Sequence, residues 1–199
     1  PLFVLYNKAT IPDRKKNLKK YKKVLNSLLE GCKFLQKNKC KFISIPCNTA
    51  HYWYSDLKNK VKIPILNMPE LVYKSASRSC KKQTKIGLLA TDATIKTKIY
   101  SNFFNKNFEL CVPPKNIQIN NVNKSIKLVK MGKTKEAEKA LKPAVKYLLK
   151  INCKKIILGC TELPIAIFAY KSFKKAKLSK TFLDPNLILA EASMKYYKK

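Results

Sequence analysis

The sequence predicts an α/β fold made of two related parallel-sheet α/β domains, in a pseudo-twofold arrangement with an active-site cleft between them. Short apolar runs alternate with amphipathic helical patterns along the chain, as in parallel sheets with helical crossovers. Two of these runs lead to cysteines in matching places, 41–45 before Cys47 and 155–158 before Cys160. The carboxyl ends of parallel strands border the binding crevice, so both thiols are expected there.

The predicted elements follow in alternating order. In the first half they are a strand at 2–6, a helix at 17–36, a strand at 41–45, a helix at 49–60, a strand at 65–67 and a helix at 69–77. In the second half they are a strand at 85–90, a helix at 93–104, a strand at 108–112, a helix at 134–151, a strand at 155–158 and a helix at 162–170. A basic linker at 171–180 and a closing helix at 187–197 complete the chain. The predicted domains are 1–80 plus 178–199, and 82–176.

The net charge of +32 on 199 residues raises the question of a nucleic-acid partner. Arg14 and Arg78 are the only arginines among 43 basic residues, and the lysines are spread along the chain. Base recognition depends on arginine forks and aromatic platforms, so a solvated lysine surface is the favoured interpretation. No apolar run of 18 residues is present, so no membrane partner is predicted, and a cytoplasmic protein is expected. The sequence leaves a homodimer open.

The cysteines and glycines argue against several cofactors. Seven cysteines contain no C-x-x-C pair, and a single histidine is a poor supply of zinc ligands. Four glycines form neither a dinucleotide-binding motif nor a P-loop, and no phosphate loop for pyridoxal phosphate is present. No cofactor or metal is therefore predicted. The other cysteines are interpreted as reduced, mostly buried small apolar side chains, namely Cys32, Cys40, Cys80, Cys111 and Cys153.

Three motifs at strand ends together resemble the aspartate racemase branch of the aspartate/glutamate racemase family. They are Ile-Pro-Asp-Arg at 11–14, Pro-Cys-Asn-Thr-Ala-His at 46–51 and Leu-Gly-Cys-Thr-Glu-Leu-Pro at 158–164. The resemblance implies inversion of the α-carbon of an acidic amino acid, aspartate or glutamate, without pyridoxal phosphate or metal. Cys47 and Cys160 would act as acid and base on opposite faces of that carbon. Two helix starts beside the cysteines would favour a thiolate.

The resemblance also implies substrate-binding residues. Asn48, Thr49 and Thr161 would hold the α-amino and carboxylate groups, and the bidentate fork of Arg14 would hold the side-chain carboxylate. Lys130 aligns with a substrate-binding lysine, although a chance match is an equal alternative in so lysine-rich a chain.

Other residues near the motifs keep more than one interpretation. His51 is interpreted as structural rather than catalytic. Thr91 and Thr94 either line the site or only cap a helix. The family begins with a further strand and a glycine-rich loop, and the chain is expected to start after that unit. Lys15 and Lys16 replace the residues that usually follow the family's arginine. The alternatives are a related enzyme acting on another carboxylic acid, and a non-catalytic basic protein that associates with nucleic acid.

Overall fold

The computed structural model describes residues 2–14, 17–168 and 180–198. A parallel sheet is formed by β1 (Lys85–Ala90), β2 (Glu109–Cys111), β3 (Lys155–Gly159) and β4 (Phe182–Leu183), in the order β2-β1-β3-β4. The longer α-helices are Tyr21–Lys37, Tyr54–Lys60, Met68–Ser79, Lys124–Lys130, Thr134–Lys150, Leu163–Phe168 and Pro185–Tyr197. Short helical segments are Leu18–Lys20, Asn48–Trp53, Asp92–Lys96, Ser101–Phe104, Lys115–Ile117 and Gln118–Asn123. The predicted parallel-sheet α/β fold is confirmed.

Both faces of the central strands are buried, which explains why the strands read as continuous apolar runs rather than as alternating ones. Leu89 of β1 and Ile156 of β3 pack with the helix Thr134–Lys150 on one face. Leu88 and Ile157 pack on the other face, in the cluster that includes residues of Met68–Ser79. The parallel register pairs Ala90 with Gly159, so β1 and β3 end at the same edge of the sheet.

The first half of the chain has its own apolar cluster, although it has little strand pairing. Val24, Trp53 and Leu57 are fully buried there. The predicted strands at 41–45 and 65–67 are wrong in extent, because the structure reduces them to one parallel bridge between Ile43 and Ile65. Ile43 donates to the Pro64 carbonyl and accepts from Leu66. Prolines 46 and 64 lack the amide donors that would extend the ladder.

The predicted strand at 2–6 is wrong. Leu2–Tyr6 lies outside every ladder among the described residues, and the side chains of Leu2, Phe3 and Leu5 are largely exposed. An apolar run becomes a strand only where a neighbour accepts its backbone hydrogen bonds. Tyr6 is held instead by its ring contact with Phe34, at a centroid distance of 5.1 Å.

Helical boundaries in the second half also differ from the prediction. The predicted helix at 93–104 is two short helices, separated near Lys98, whose φ of 55° is incompatible with a continuous right-handed helix. The stretch Lys115–Lys130 is helical but was not predicted, since three asparagines between 118 and 123 weaken any helical pattern. Its middle turn, Gln118–Asn123, is a π-helix.

The closing helix Pro185–Tyr197 returns to the first half. Asp184 caps it by accepting from the backbone amides of Asn186 and Leu187. Its Ser193 hydroxyl lies 2.7 Å from that of Ser44. The strand just before it, β4, was not predicted, and it pairs with β3 although the predicted boundaries assign it to the first domain. Those boundaries stay a prediction.

The two remaining sequence predictions concern the basic linker and the absence of a membrane span. The basic linker at 171–180 lies outside the described residues, apart from Lys180. Within the described ranges no helix is long and apolar enough to cross a bilayer.

Gly159 is expected to be essential to the packing of the strand ends. A Cβ built there would lie 3.0 Å from the Ala90 Cβ and 3.2 Å from the Leu89 carbonyl oxygen, and neither can rotate away. We expect Gly159→Ala to lower the free energy of unfolding by about 1–3 kcal/mol, measured by urea denaturation. The comparison variant is Gly87→Ala, whose Cβ would lie 2.7 Å from the Leu148 side chain rather than against a neighbouring backbone. Equal stability of Gly159→Ala and the parent would contradict this prediction.

Candidate active site

The two cysteine turns have the same backbone hydrogen bonds. The Cys47 amide donates to the Ile45 carbonyl over 2.8 Å, and the Cys160 amide donates to the Leu158 carbonyl over the same distance. Each cysteine carbonyl then accepts from the amide three residues ahead, at 3.2 Å from Ala50 and 3.0 Å from Leu163. The sequence duplication is therefore a duplication of local structure, with a short helix following each thiol.

One small cleft brings together all seven residues that the sequence predicted for the site. Its volume is about 60 Å³, well below the roughly 300 Å³ at which pockets for drug-sized ligands begin. Two cationic and two carboxylate side chains border it together with the two thiols. The lining residues are Asp13, Arg14, Cys47, Asn48, Thr49, Thr91, Lys130, Gly159, Cys160, Thr161 and Glu162. The cleft thus collects residues from distant parts of the chain around two thiols.

His51 fastens the Cys47 turn to the following helix. The Met68 amide donates to Nε2 over 3.1 Å, so the proton of the neutral ring is on Nδ1, which donates to the Cys47 carbonyl over 3.0 Å. Burial lowers the pKa of His51, and its backbone hydrogen bonds only partly oppose this effect. This geometry gives the histidine the structural part that the sequence suggested.

Three threonine hydroxyls connect the two halves of the chain beside the cleft. Thr91 caps the helix Asp92–Lys96 by accepting from the Thr94 amide, and Thr49 lies 2.8 Å from the Thr94 hydroxyl. All three threonines are buried. Thr91 therefore both lines the cleft and caps a helix, whereas Thr94 supports it from behind.

A buried tyrosine holds the amide of Asn48. The Tyr100 hydroxyl donates to Asn48 Oδ1, and Tyr100 is fully buried. Burial, followed by the charge of Asp184, raises the pKa of Tyr100 well above its ordinary value, so the hydroxyl keeps its proton. The Asn48 Nδ2 atom has no hydrogen-bond partner within the part of the chain that the structure describes. It is therefore a buried donor of a residue that lines the cleft. Sequence reasoning missed Tyr100, since nothing near it in the chain resembles a site motif.

Glu162 is the second residue that sequence reasoning did not assign. The Cys160 thiol donates to its Oε2 atom over 2.8 Å, and the Thr161 hydroxyl donates to the same atom over 2.9 Å. Lys130 Nζ lies 3.4 Å from the other carboxylate oxygen. The sequence feature that could have identified Glu162 is its position two residues after Cys160 in the duplicated unit.

Arg14 reaches the cleft from an irregular segment. It is half-buried, and its Nη1 atom donates to the Pro12 carbonyl over 3.3 Å. With Lys130 it gives the cleft two cations, an arrangement that suits a small molecule with more than one carboxylate.

The remaining cysteines lie outside the cleft, and none of the seven forms a disulfide. Burial raises the pKa of Cys32 to about 11 and that of Cys153 to about 12, so both stay thiols. Cys40, Cys80 and Cys111 are half-buried rather than buried. Among the described residues no group of three His, Cys, Asp or Glu side chains is arranged to hold a metal ion.

The parallel-sheet α/β fold that carries these two cysteine turns is also the fold of a solved racemase. The chain belongs to the Asp/Glu/Hydantoin racemase family, which it matches over residues 1–193. It is similar to the aspartate racemase of Picrophilus torridus, with 30% identity, a TM-score of 0.80, and coverage of 97% of this chain and 78% of that one.

Two curated relatives extend this similarity. The broad specificity amino-acid racemase RacX of Bacillus subtilis is 27% identical over 137 residues, which are 69% of this chain and 59% of the relative. The glutamate racemase of Leptospira borgpetersenii is 30% identical over 146 residues, 72% of this chain and 54% of the relative. The chain thus spans little more than half the length of these two relatives. Family and relatives support amino-acid racemase activity, which is an isomerase activity.

We expect stability to fall as the pH drops below about 6.5. The unfolded chain then binds a proton at His51 that the folded chain, with its lowered pKa, does not bind. The free energy of unfolding should fall by up to about 1.4 kcal/mol per pH unit, measured by urea denaturation between pH 5.5 and 7.5. His51 is the only histidine, so His51→Gln should flatten this slope. The same slope in parent and variant would contradict the prediction.

Loss of the Tyr100 hydroxyl should weaken substrate binding by freeing the Asn48 amide. We expect Tyr100→Phe to raise the KM for amino-acid racemisation about 5- to 10-fold, with a smaller change in kcat. A change of this size corresponds to the net free energy of one hydrogen bond. The double variant with Asn48→Ala should have the KM of Asn48→Ala alone. Tyr73→Phe is the matched control, because Tyr73 also bonds an asparagine, Asn107, away from the cleft. If the increases in KM caused by Tyr100→Phe and Asn48→Ala multiply in the double variant, the two residues act independently and this prediction is wrong.

Proposed function

We propose that this protein is a cofactor-independent racemase that interconverts L- and D-aspartate through two cysteines, Cys47 and Cys160. The observation that carries the proposal is the pair of matching cysteine turns on one cleft. Inversion of a carbon centre needs a base on one face and an acid on the other, and a thiolate and a thiol supply both. A duplicated strand-end cysteine provides two such groups from related parts of the chain.

The charges around the cleft support an acidic amino acid as the substrate. Aspartate carries two carboxylates and one ammonium group, and the cleft has Arg14 and Lys130 for the carboxylates. Asn48 Nδ2 is an unpaired donor for a carboxylate oxygen, and the hydroxyls of Thr49 and Thr161 border the same space. Asp13 and Glu162 supply negative charge for the ammonium group.

The relatives favour aspartate as the first substrate to test. The structure aligned over 97% of this chain is an aspartate racemase, and it is 30% identical to this chain. The second candidate is racemisation of other amino acids, which the broad specificity of the RacX relative favours.

The proposed reaction moves two protons and leaves no covalent intermediate. One cysteine thiolate removes the α-hydrogen, so the Cα–H bond breaks and an S–H bond forms. The electron pair left on Cα is stabilised by hydrogen bonds and positive charge at the α-carboxylate. The second cysteine then donates its proton to the opposite face, which completes inversion and turns that cysteine into the thiolate. The sum of protons on the two sulfurs is unchanged.

Each single replacement, Cys47→Ala or Cys160→Ala, should lower kcat/KM for aspartate racemisation about 10²- to 10⁴-fold, the usual value of one acid or base group. The measurement is polarimetry in both directions, with NMR detection of α-hydrogen exchange in deuterated water. L- and D-aspartate have equal free energies, so kcat/KM must fall equally in the two directions.

The control is Cys80→Ala, which removes a half-buried thiol outside the cleft and should keep parental kcat/KM. Parental activity in either cleft variant would overturn the two-cysteine mechanism. If the parent racemises glutamate or another amino acid but leaves aspartate unchanged, the aspartate assignment is wrong.

A further inference from the structure

The two cysteine turns differ in chemistry at one position. Two residues after Cys47 the chain has Thr49, whereas two residues after Cys160 it has Glu162. The surrounding backbone hydrogen bonds are alike in the two turns. The related half-sites are therefore alike in shape but unlike in charge.

The Glu162 carboxylate is held directly against the Cys160 sulfur. Its Oε2 atom accepts from the Cys160 thiol at 2.8 Å and from the Thr161 hydroxyl at 2.9 Å, and Lys130 lies 3.4 Å from Oε1. Its side chain is only 16% exposed, so water does little to screen these contacts. Within the described ranges no carboxylate hydrogen-bonds to Cys47, which is followed in the chain by the uncharged residues Asn48 and Thr49.

This geometry determines where the proton lies. Burial alone would raise the pKa of Glu162, but the hydrogen bonds from Cys160 and Thr161 and the charge of Lys130 outweigh it, and the pKa is lowered. Glu162 is therefore ionised at neutral pH, and the shared proton belongs to the sulfur. A thiolate at Cys160 would put two negative charges less than 3 Å apart, which disfavours that form.

We infer that Glu162 holds Cys160 as the thiol in the resting protein, so that Cys47 is the first base and Cys160 the first proton donor for the enantiomer whose α-hydrogen faces Cys47. The donor and base roles rest on the proposed function, whereas the protonation state of Cys160 does not. The other charged groups that line the cleft are Asp13, Arg14 and Lys130. Among the described residues, Glu162 is the carboxylate that hydrogen-bonds to one thiol and not to the other.

The same contact explains how the site returns to one state after each turnover. Proton donation leaves Cys160 as a thiolate beside the Glu162 carboxylate, while Cys47 carries the proton taken from the substrate. Repulsion between the two anions favours uptake of a solvent proton by Cys160, and Cys47 releases its proton to solvent. The exchange is balanced, and it restores the original assignment of thiol and thiolate.

The test compares how fast each cysteine is alkylated by iodoacetamide, which reacts with thiolates. Initial rates for Cys47 and Cys160 are read separately by peptide mass spectrometry between pH 5.5 and 9.5, without substrate. In the parent we expect the pH midpoint of Cys160 alkylation to lie at least about one unit above that of Cys47, a tenfold difference in thiolate fraction. Accessibility scales a rate at every pH but does not move a midpoint.

Glu162→Gln should lower the Cys160 midpoint by about one unit and leave that of Cys47 within about 0.3 unit. Glu162→Thr, which copies the first half-site, serves as a second variant if the glutamine variant does not fold. The matched control is Glu70→Gln, which removes a carboxylate paired with Lys74 away from the cleft and should move neither midpoint.

Two results would overturn the inference. They are a Cys160 midpoint at or below that of Cys47 in the parent, and an unmoved Cys160 midpoint in the Glu162 variants. The experiment uses no substrate, so its outcome is separate from that of the proposed function. Absence of aspartate racemisation with the expected midpoints would reject the substrate and keep the protonation assignment.

Discussion

The parallel pairing of β1 with β3 is the constraint on which the rest of the structure depends. Its register sets Ala90 beside Gly159, so the residues that follow, Thr91 and Cys160, leave the sheet at the same edge. Gly159 allows this because a side chain there would strike the neighbouring strand. Parallel strands need helical crossovers, and those crossovers cover both faces of the sheet. The cleft is the uncovered edge that remains.

The half-site that contains Cys47 is joined to this edge by polar contacts rather than by the sheet. Thr49 reaches the Thr94 hydroxyl, and Asn48 accepts from Tyr100. These side chains are buried, so breaking the contacts would leave polar groups without water or partners, a cost of about 1–3 kcal/mol each. The contacts that orient the site therefore also hold Cys47 and Cys160 on one cleft, which links its geometry to the stability of the fold.

The sequence predicted correctly those features that the local residue pattern decides. The strands β1 and β3 were located because both their faces are buried, and the seven residues that the motifs and the family resemblance predicted for the site all line one cleft. Sequence reasoning failed at the strand predicted for 2–6, where a partner is required, and at the predicted helix 93–104, which Lys98 interrupts. It also missed the helical stretch Lys115–Lys130, whose asparagines give no periodic signal.

The sequence by itself determined the alternation of strands and helices in the second half of the chain, the family, and the two cysteines in matching turns, because these depend on local pattern and residue type. Only the tertiary structure decided that Tyr100 orients Asn48 and that Lys130 contacts Glu162. These partners lie far apart in the chain, and the folding of the backbone brings them together. The contact of Glu162 with Cys160 is local in the chain, but only the structure shows that the carboxylate oxygen lies 2.8 Å from that sulfur.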